Sequence, residues 1–122
     1  MKVALRVHGA LARGAFAVVV LVSLAVLFAP GSDVPAAPPG VDKVIHAALF
    51  LALAVTGRWA GIRPALLGGL LVAYGAISEV LQAMIPIERD GSPWDLLADA
   101  VGVALGLGLW ALGVRRRPRG PG

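Results

Sequence analysis

Residues 94–110, WDLLADAVGVALGLGLW, decide the fold of this chain. Asp95 and Asp99 stand four residues apart at the start of an apolar run, and Gly102 and Gly106 continue the series in steps of three and four. Residues with this spacing share one face of an α-helix. A carboxylate is costly in hydrocarbon, so this face is predicted to point into a helix bundle rather than towards lipid. Glycines on the same face allow neighbouring helices to approach closely.

The composition of the whole chain is that of a membrane protein. Of its 122 residues, 58% are hydrophobic and 15% are charged, and the mean hydropathy is +0.84. A soluble domain of this size has more polar surface than these residues provide. The chain contains no cysteine, which excludes disulfides and thiolate metal sites. We therefore predict a single all-α membrane domain over residues 1–122.

Four apolar runs, separated by Pro- and Gly-rich or charged stretches, predict a bundle of four transmembrane helices. The predicted spans are residues 13–29, 44–60, 65–85 and 95–114, followed by a basic tail at 115–122. The first run has a basic start and also fits a cleaved signal peptide, an alternative that the sequence leaves open. On the third helix a second stripe of small and polar residues is predicted to face inwards: Gly68, Val72, Gly75, Glu79 and Gln82.

Lysine and arginine are distributed unequally between the two sides of such a bundle. One side carries Lys2, Arg6, Arg13, Arg58, Arg63 and the arginines of the tail, whereas the other carries Lys43 and Arg89 among several acids. Cytoplasmic segments of membrane proteins carry the excess of basic residues. Both termini are therefore predicted to be cytoplasmic. Because the net charge of +4 comes from residues that flank apolar runs, we predict the lipid bilayer as partner and no nucleic acid.

The polar residues at the outward ends of the predicted helices form a candidate ligand-binding pocket. Several of them share a helix face, as do Asp42 and His46 at i and i+4. The pocket residues are Asp42, Lys43, His46, Glu79, Gln82, Arg89, Asp95 and Asp99. Helix packing around them is assigned to Gly75, Gly102 and Gly106.

Two interpretations of this pocket remain open. In the first, the polar residues only fix the register of the helices, and Lys43 and Arg89 neutralise Glu79 and Asp99. In the second, they bind or act on a molecule that arrives from outside the cell. Glu79 favours the second interpretation, because it lies more than a turn before the end of its helix, where a carboxylate is expensive.

The same residues carry no recognised signature of metal binding or of nucleophilic catalysis. The imidazole of His46 and the nearby carboxylates are atoms that Zn²⁺ or Mn²⁺ accepts, but they form no recognised metal motif. Ser78, beside Glu79, has no nucleophile signature around it. We predict no metal and no cofactor.

The order of these motifs resembles the VanZ-like family, which is named after a bacterial teicoplanin-resistance protein. The matching stretches lie within residues 42–107: DKVIH at 42–46, SEVLQ at 78–82, Arg89, and DLLADAVG at 95–102 followed by Gly106. The family commonly has an aromatic residue where this chain has Ala47, and asparagine where it has Asp99. The resemblance implies a multi-pass protein of the bacterial cytoplasmic membrane that lowers susceptibility to teicoplanin, a lipoglycopeptide that binds cell-wall precursors. It also implies important roles for Glu79, Gln82, Arg89 and Asp95.

We therefore expect an outward-facing pocket that binds an amphipathic envelope molecule, such as a lipid-linked cell-wall precursor or a lipoglycopeptide. Lys43 and Arg89 would contact its phosphate or carboxylate groups. Three other functions remain open: a lipid-processing membrane enzyme that uses His46 and Glu79 as an acid–base pair, a small proton-coupled transporter, and a purely structural subunit.

Overall fold

The computed structural model describes residues 9–28, 40–84 and 93–116, and these are helical apart from short turns. Four helices follow in order: α1 (Ala10–Leu27), α2 (Val41–Trp59), α3 (Pro64–Met84) and α4 (Pro93–Arg116). The predicted all-α class is confirmed for this part of the chain. Each helix begins and ends within three residues of its predicted span.

Three helices of the described chain are long and apolar enough to cross a membrane. The qualifying stretches are Ala10–Leu27, Pro64–Leu81 and Trp94–Gly113, with mean hydropathies of 2.3, 1.6 and 1.8. Helix α2 is of comparable length, but it carries charged residues near both of its ends, Asp42 and Lys43 at one and Arg58 at the other.

Helix α2 lies at the centre of the bundle. It packs against each of the other three helices, most extensively against α4. The buried face of α2 contains Phe50, Leu53 and Ala54, each fully inaccessible. By contrast, large apolar side chains remain exposed on the outer helices, such as Leu21 on α1 (66%) and Leu105 on α4 (52%). A polar solvent would not favour such an outer surface, whereas lipid tails would.

Helices α2 and α4 run in the same direction and their backbones touch. A Cβ atom on Gly102 would overlap the backbone carbonyl of Ala47, and one on Gly106 would lie 2.6 Å from the Cβ of Ala54. Any larger side chain at these two glycines requires the helices to move apart. The stripe that begins with Asp95 and Asp99 therefore lies along α2.

The buried face of α3 differs by one position from the predicted stripe. Val72, predicted to face inwards, is 43% exposed, whereas the neighbouring Leu71 is 5% exposed. Leu67 and Leu71 both belong to the hydrophobic core cluster around Phe50. The larger leucine side chains fill the core better than Val72 would, and their packing sets the rotation of the helix.

The two turns that flank α2 position its charged ends. Gly40, the N-cap, has a left-handed backbone with a φ of 91°, and Asp42 is the second residue of the helix that follows. Gly61 has a φ of 98° in the turn between α2 and α3, where the Arg58 side chain donates a hydrogen bond to the carbonyl of Ile62 at 2.8 Å. This short turn makes α2 and α3 antiparallel neighbours, so the start of α2 lies beside the end of α3.

Candidate functional site

Five polar residues from three helices meet at one end of the bundle, which we call the polar end. They come from the start of α2, the last turns of α3 and the start of α4: Lys43, His46, Glu79, Asp95 and Asp99. The sequence predicted that these residues would lie together. Arg89 lies outside the described residues, as do the side chains of Asp42 and Gln82.

The outer contact of the polar end is an ion pair between α2 and α4. The Nζ atom of Lys43 lies 3.0 Å from Oδ1 of Asp95. The Lys43 side chain is 38% exposed and that of Asp95 only 7%, so the lysine forms the accessible edge of the cluster. A long side chain in this position can keep its ammonium group near water.

One helical turn deeper, α2 and α4 are joined by a fully buried pair. The Nδ1 atom of His46 lies 2.9 Å from Oδ1 of Asp99, and the two side chains are 3% and 1% exposed. When Asp99 is ionised, His46 donates this hydrogen bond through Nδ1–H. The pair therefore fixes both the orientation of the imidazole and the register of α2 against α4.

The second oxygen of Asp99 faces α3. A Cβ atom on Gly75 would lie 3.0 Å from Oδ2 of Asp99, so α3 approaches the carboxylate closely because residue 75 is glycine. Within the described part of the chain, Oδ2 is buried and has no hydrogen-bond partner. The nearby hydroxyl of Ser78 donates instead to the carbonyl of Gly75 within its own helix, at 2.8 Å.

Glu79 is the most unusual residue of the polar end. Both of its carboxylate oxygens are buried, and neither has a hydrogen-bond partner among the residues that the structure describes. The carboxylate is close enough to interact electrostatically with Asp95, His46, Asp99 and Lys43. An unpaired buried carboxylate is destabilising, so its presence calls for an explanation other than stability.

The described ion pairs include partners that the register interpretation did not name. That interpretation gave Lys43 and Arg89 to Glu79 and Asp99. Arg89 lies outside the described residues, and in the described structure Lys43 contacts Asp95 and His46 contacts Asp99. The reason is the parallel alignment of α2 and α4, which brings their first turns side by side. Glu79, on the antiparallel α3, has no hydrogen-bond partner among the described residues.

One polar contact near the site was not predicted from the sequence. The hydroxyl groups of Ser23 on α1 and Tyr74 on α3 lie 2.9 Å apart, and Ser23 also donates to the carbonyl of Val20. Tyr74 packs on Phe50 with ring centroids 5.6 Å apart. A single serine and a single tyrosine inside apolar runs carry no spacing signal, so no pattern could have identified this link.

The chemistry available at the polar end is hydrogen bonding and charge recognition. In the described part of the chain, no three side chains of His, Asp or Glu are grouped so that they could hold a metal ion. The His46–Asp99 pair would orient an imidazole for proton transfer. The unpaired oxygens of Glu79 and Asp99 would accept hydrogen bonds from a bound molecule.

Comparison with known proteins assigns no family to this arrangement: the chain matches no family model, no curated protein and no solved structure.

Proposed function

We propose that this chain is a four-span protein of the bacterial cytoplasmic membrane, and that its outward-facing polar end binds the head group of an amphipathic envelope molecule. Three apolar helices support the membrane assignment. The central position of α2 supports a fourth span, because α2 packs against the other three helices and its charged residues lie near its ends. The excess of Lys and Arg at the termini and at the α2–α3 turn supports cytoplasmic termini.

The binding function is supported most directly by the Glu79 carboxylate. Its two oxygens are buried and unpaired in the described structure, within a cluster whose other charged groups are paired. A protein that used these residues only to fix helix register would gain stability by replacing Glu79 with an apolar residue. Intramembrane carboxylates that are retained at such a cost commonly serve a ligand or an ion.

The order of the motifs supports a VanZ-like role for this pocket. In this role the ligand is a lipid-linked cell-wall precursor or a lipoglycopeptide, and binding it lowers the susceptibility of the cell to teicoplanin. Lys43, at the accessible edge of the cluster, would meet an anionic part of the head group while it stays beside Asp95.

A membrane-embedded lipid-processing enzyme is the second candidate function. It is favoured by the His46–Asp99 hydrogen bond, because a carboxylate that orients an imidazole is a common arrangement for a general base. Incubation of the purified protein with a radiolabelled lipid-linked precursor, followed by chromatography, distinguishes the two functions. A new labelled product that depends on His46 would favour the enzyme.

The resistance proposal is tested by expression in a teicoplanin-sensitive Gram-positive host. The wild-type chain, Glu79→Gln, Glu88→Gln and an empty vector are compared at matched amounts of protein in the membrane. We expect protection from the wild type and from Glu88→Gln, the only other glutamate of the chain, and none from Glu79→Gln. Absence of protection by the wild type contradicts the VanZ-like role.

A further inference from the structure

The buried groups of the polar end that lack a hydrogen-bond partner are all hydrogen-bond acceptors. The buried oxygens without a hydrogen bond there all belong to carboxylates: both oxygens of Glu79, Oδ2 of Asp99, and Oδ1 of Asp95, which is already in the ion pair with Lys43. Among the described residues, the buried side-chain donor without a partner is Nε1 of Trp59, at the opposite end of α2. A carboxylate oxygen accepts hydrogen bonds and does not donate them. With these carboxylates ionised, the molecule that completes this site brings N–H or O–H groups.

The charge of the cluster points in the same direction. Its described side chains include three carboxylates but only one lysine and one histidine. The lysine and the histidine are already committed to Asp95 and Asp99. With the carboxylates ionised, these five described side chains carry a net negative charge whether His46 is protonated or neutral. In the low dielectric of a bundle interior, this imbalance favours a ligand group that is both a donor and a cation.

We propose that Glu79 binds a primary ammonium group carried by the head group of the ligand, and that the N–H groups of the ammonium bond to the carboxylates of Glu79 and Asp99. This inference rests on the proposed function, to which it adds the chemistry of the head group. A primary ammonium brings three N–H donors and one positive charge. This matches the three oxygens of Glu79 and Asp99 that have neither a hydrogen bond nor an ion pair among the described residues. An anionic group of the same molecule would then lie towards Lys43, the accessible edge of the site.

The experiment measures binding of short-chain lipids to the purified full-length chain in detergent micelles. Dioctanoyl phosphatidylethanolamine is compared with dioctanoyl phosphatidylcholine by isothermal titration calorimetry. Both lipids are zwitterionic and have the same acyl chains, but only the ethanolamine lipid has ammonium N–H donors. Wild type, Glu79→Gln, Glu79→Asp and the matched control Glu88→Gln are titrated, and gel filtration with circular dichroism establishes that each variant is folded.

We expect the wild type and Glu88→Gln to bind the ethanolamine lipid about tenfold or more tightly than the choline lipid. Glu79→Gln should lose this preference, and Glu79→Asp should retain part of it. Competition by ethylamine distinguishes a free amine from a lipid head group as the source of the ammonium. If ethylamine displaces the lipid, the amine alone is sufficient for binding. If it does not, the ammonium must belong to a lipid head group. With either result, we expect the preference for the ethanolamine lipid over the choline lipid to depend on Glu79.

Equal affinity of the wild type for the two lipids would overturn the ammonium assignment, as would a preference that persists in Glu79→Gln. The proposed function would survive these results if a short-chain polyprenyl pyrophosphate bound and Lys43→Ala weakened its binding. If neither the two lipids nor the pyrophosphate bound, the proposed function and this inference would fail together.

Discussion

Asp99 and Glu79 are buried carboxylates at the same end of the bundle, yet the protein treats them differently. Asp99 lies against the central helix and shares a 2.9 Å hydrogen bond with His46. Glu79, on α3, has two buried oxygens without a partner in the described structure. Paired carboxylates contribute to a fixed helix register, whereas an unpaired one costs stability. We therefore assign Asp99 to the stability of the bundle and Glu79 to ligand binding.

The largest effect on stability is expected when the His46–Asp99 hydrogen bond is removed. His46→Ala removes the partner of a 1% exposed carboxylate and should lower the free energy of unfolding by roughly 3–5 kcal/mol, the usual cost of an unpaired buried charge. Reversible unfolding in mixed micelles measures this loss.

The double variant His46→Ala/Asp99→Ala provides the control for this first prediction. Removing the stranded carboxylate should recover a large part of the lost stability, because no unpaired charge remains. A double variant as unstable as the sum of its single variants would show that the two residues act independently.

A second, smaller effect concerns the close packing of α2 against α4, which brings Asp99 next to His46. Gly102→Ala places a Cβ atom against the backbone carbonyl of Ala47 and should destabilise the protein by about 1–3 kcal/mol. Gly108→Ala is the matched control on the same helix, since nothing lies within 4 Å of its Cβ position. It should be neutral or stabilising, because alanine favours helix more than glycine does. Equal stability of the two variants would contradict the close packing of α2 and α4.

The third effect is expected to be smaller again and lies outside the carboxylates. Tyr74→Phe removes the hydroxyl that contacts Ser23 but keeps the ring beside Phe50. Interhelical hydrogen bonds in membranes contribute about 1 kcal/mol or less, so the unfolding free energy should fall by that amount. Ser23→Ala in the Tyr74→Phe background should add little. Loss of ligand binding in Tyr74→Phe would extend the site to α1.

The helices and the α4 stripe could be predicted because they depend on local patterns. Apolar runs give the helices, and the spacing of Asp95, Asp99 and Gly102 defines one helical face whatever the neighbours are. The partners of that face could not be predicted. The assignments of Lys43 to Asp95 and of His46 to Asp99 follow from the parallel packing of α2 and α4, which depends on the whole core. For the same reason the sequence placed Val72 inside, whereas the core selects Leu71.

The most direct test of the account is the stability of Glu79→Gln beside that of the wild type, measured by reversible unfolding in micelles without added lipid. Glutamine keeps the shape of the side chain and removes the unpaired charge. If Glu79 is kept for a ligand, Glu79→Gln should be as stable as the wild type or more stable. A loss of about 2 kcal/mol or more would contradict the account, because it would show that the carboxylate itself helps to hold the bundle together.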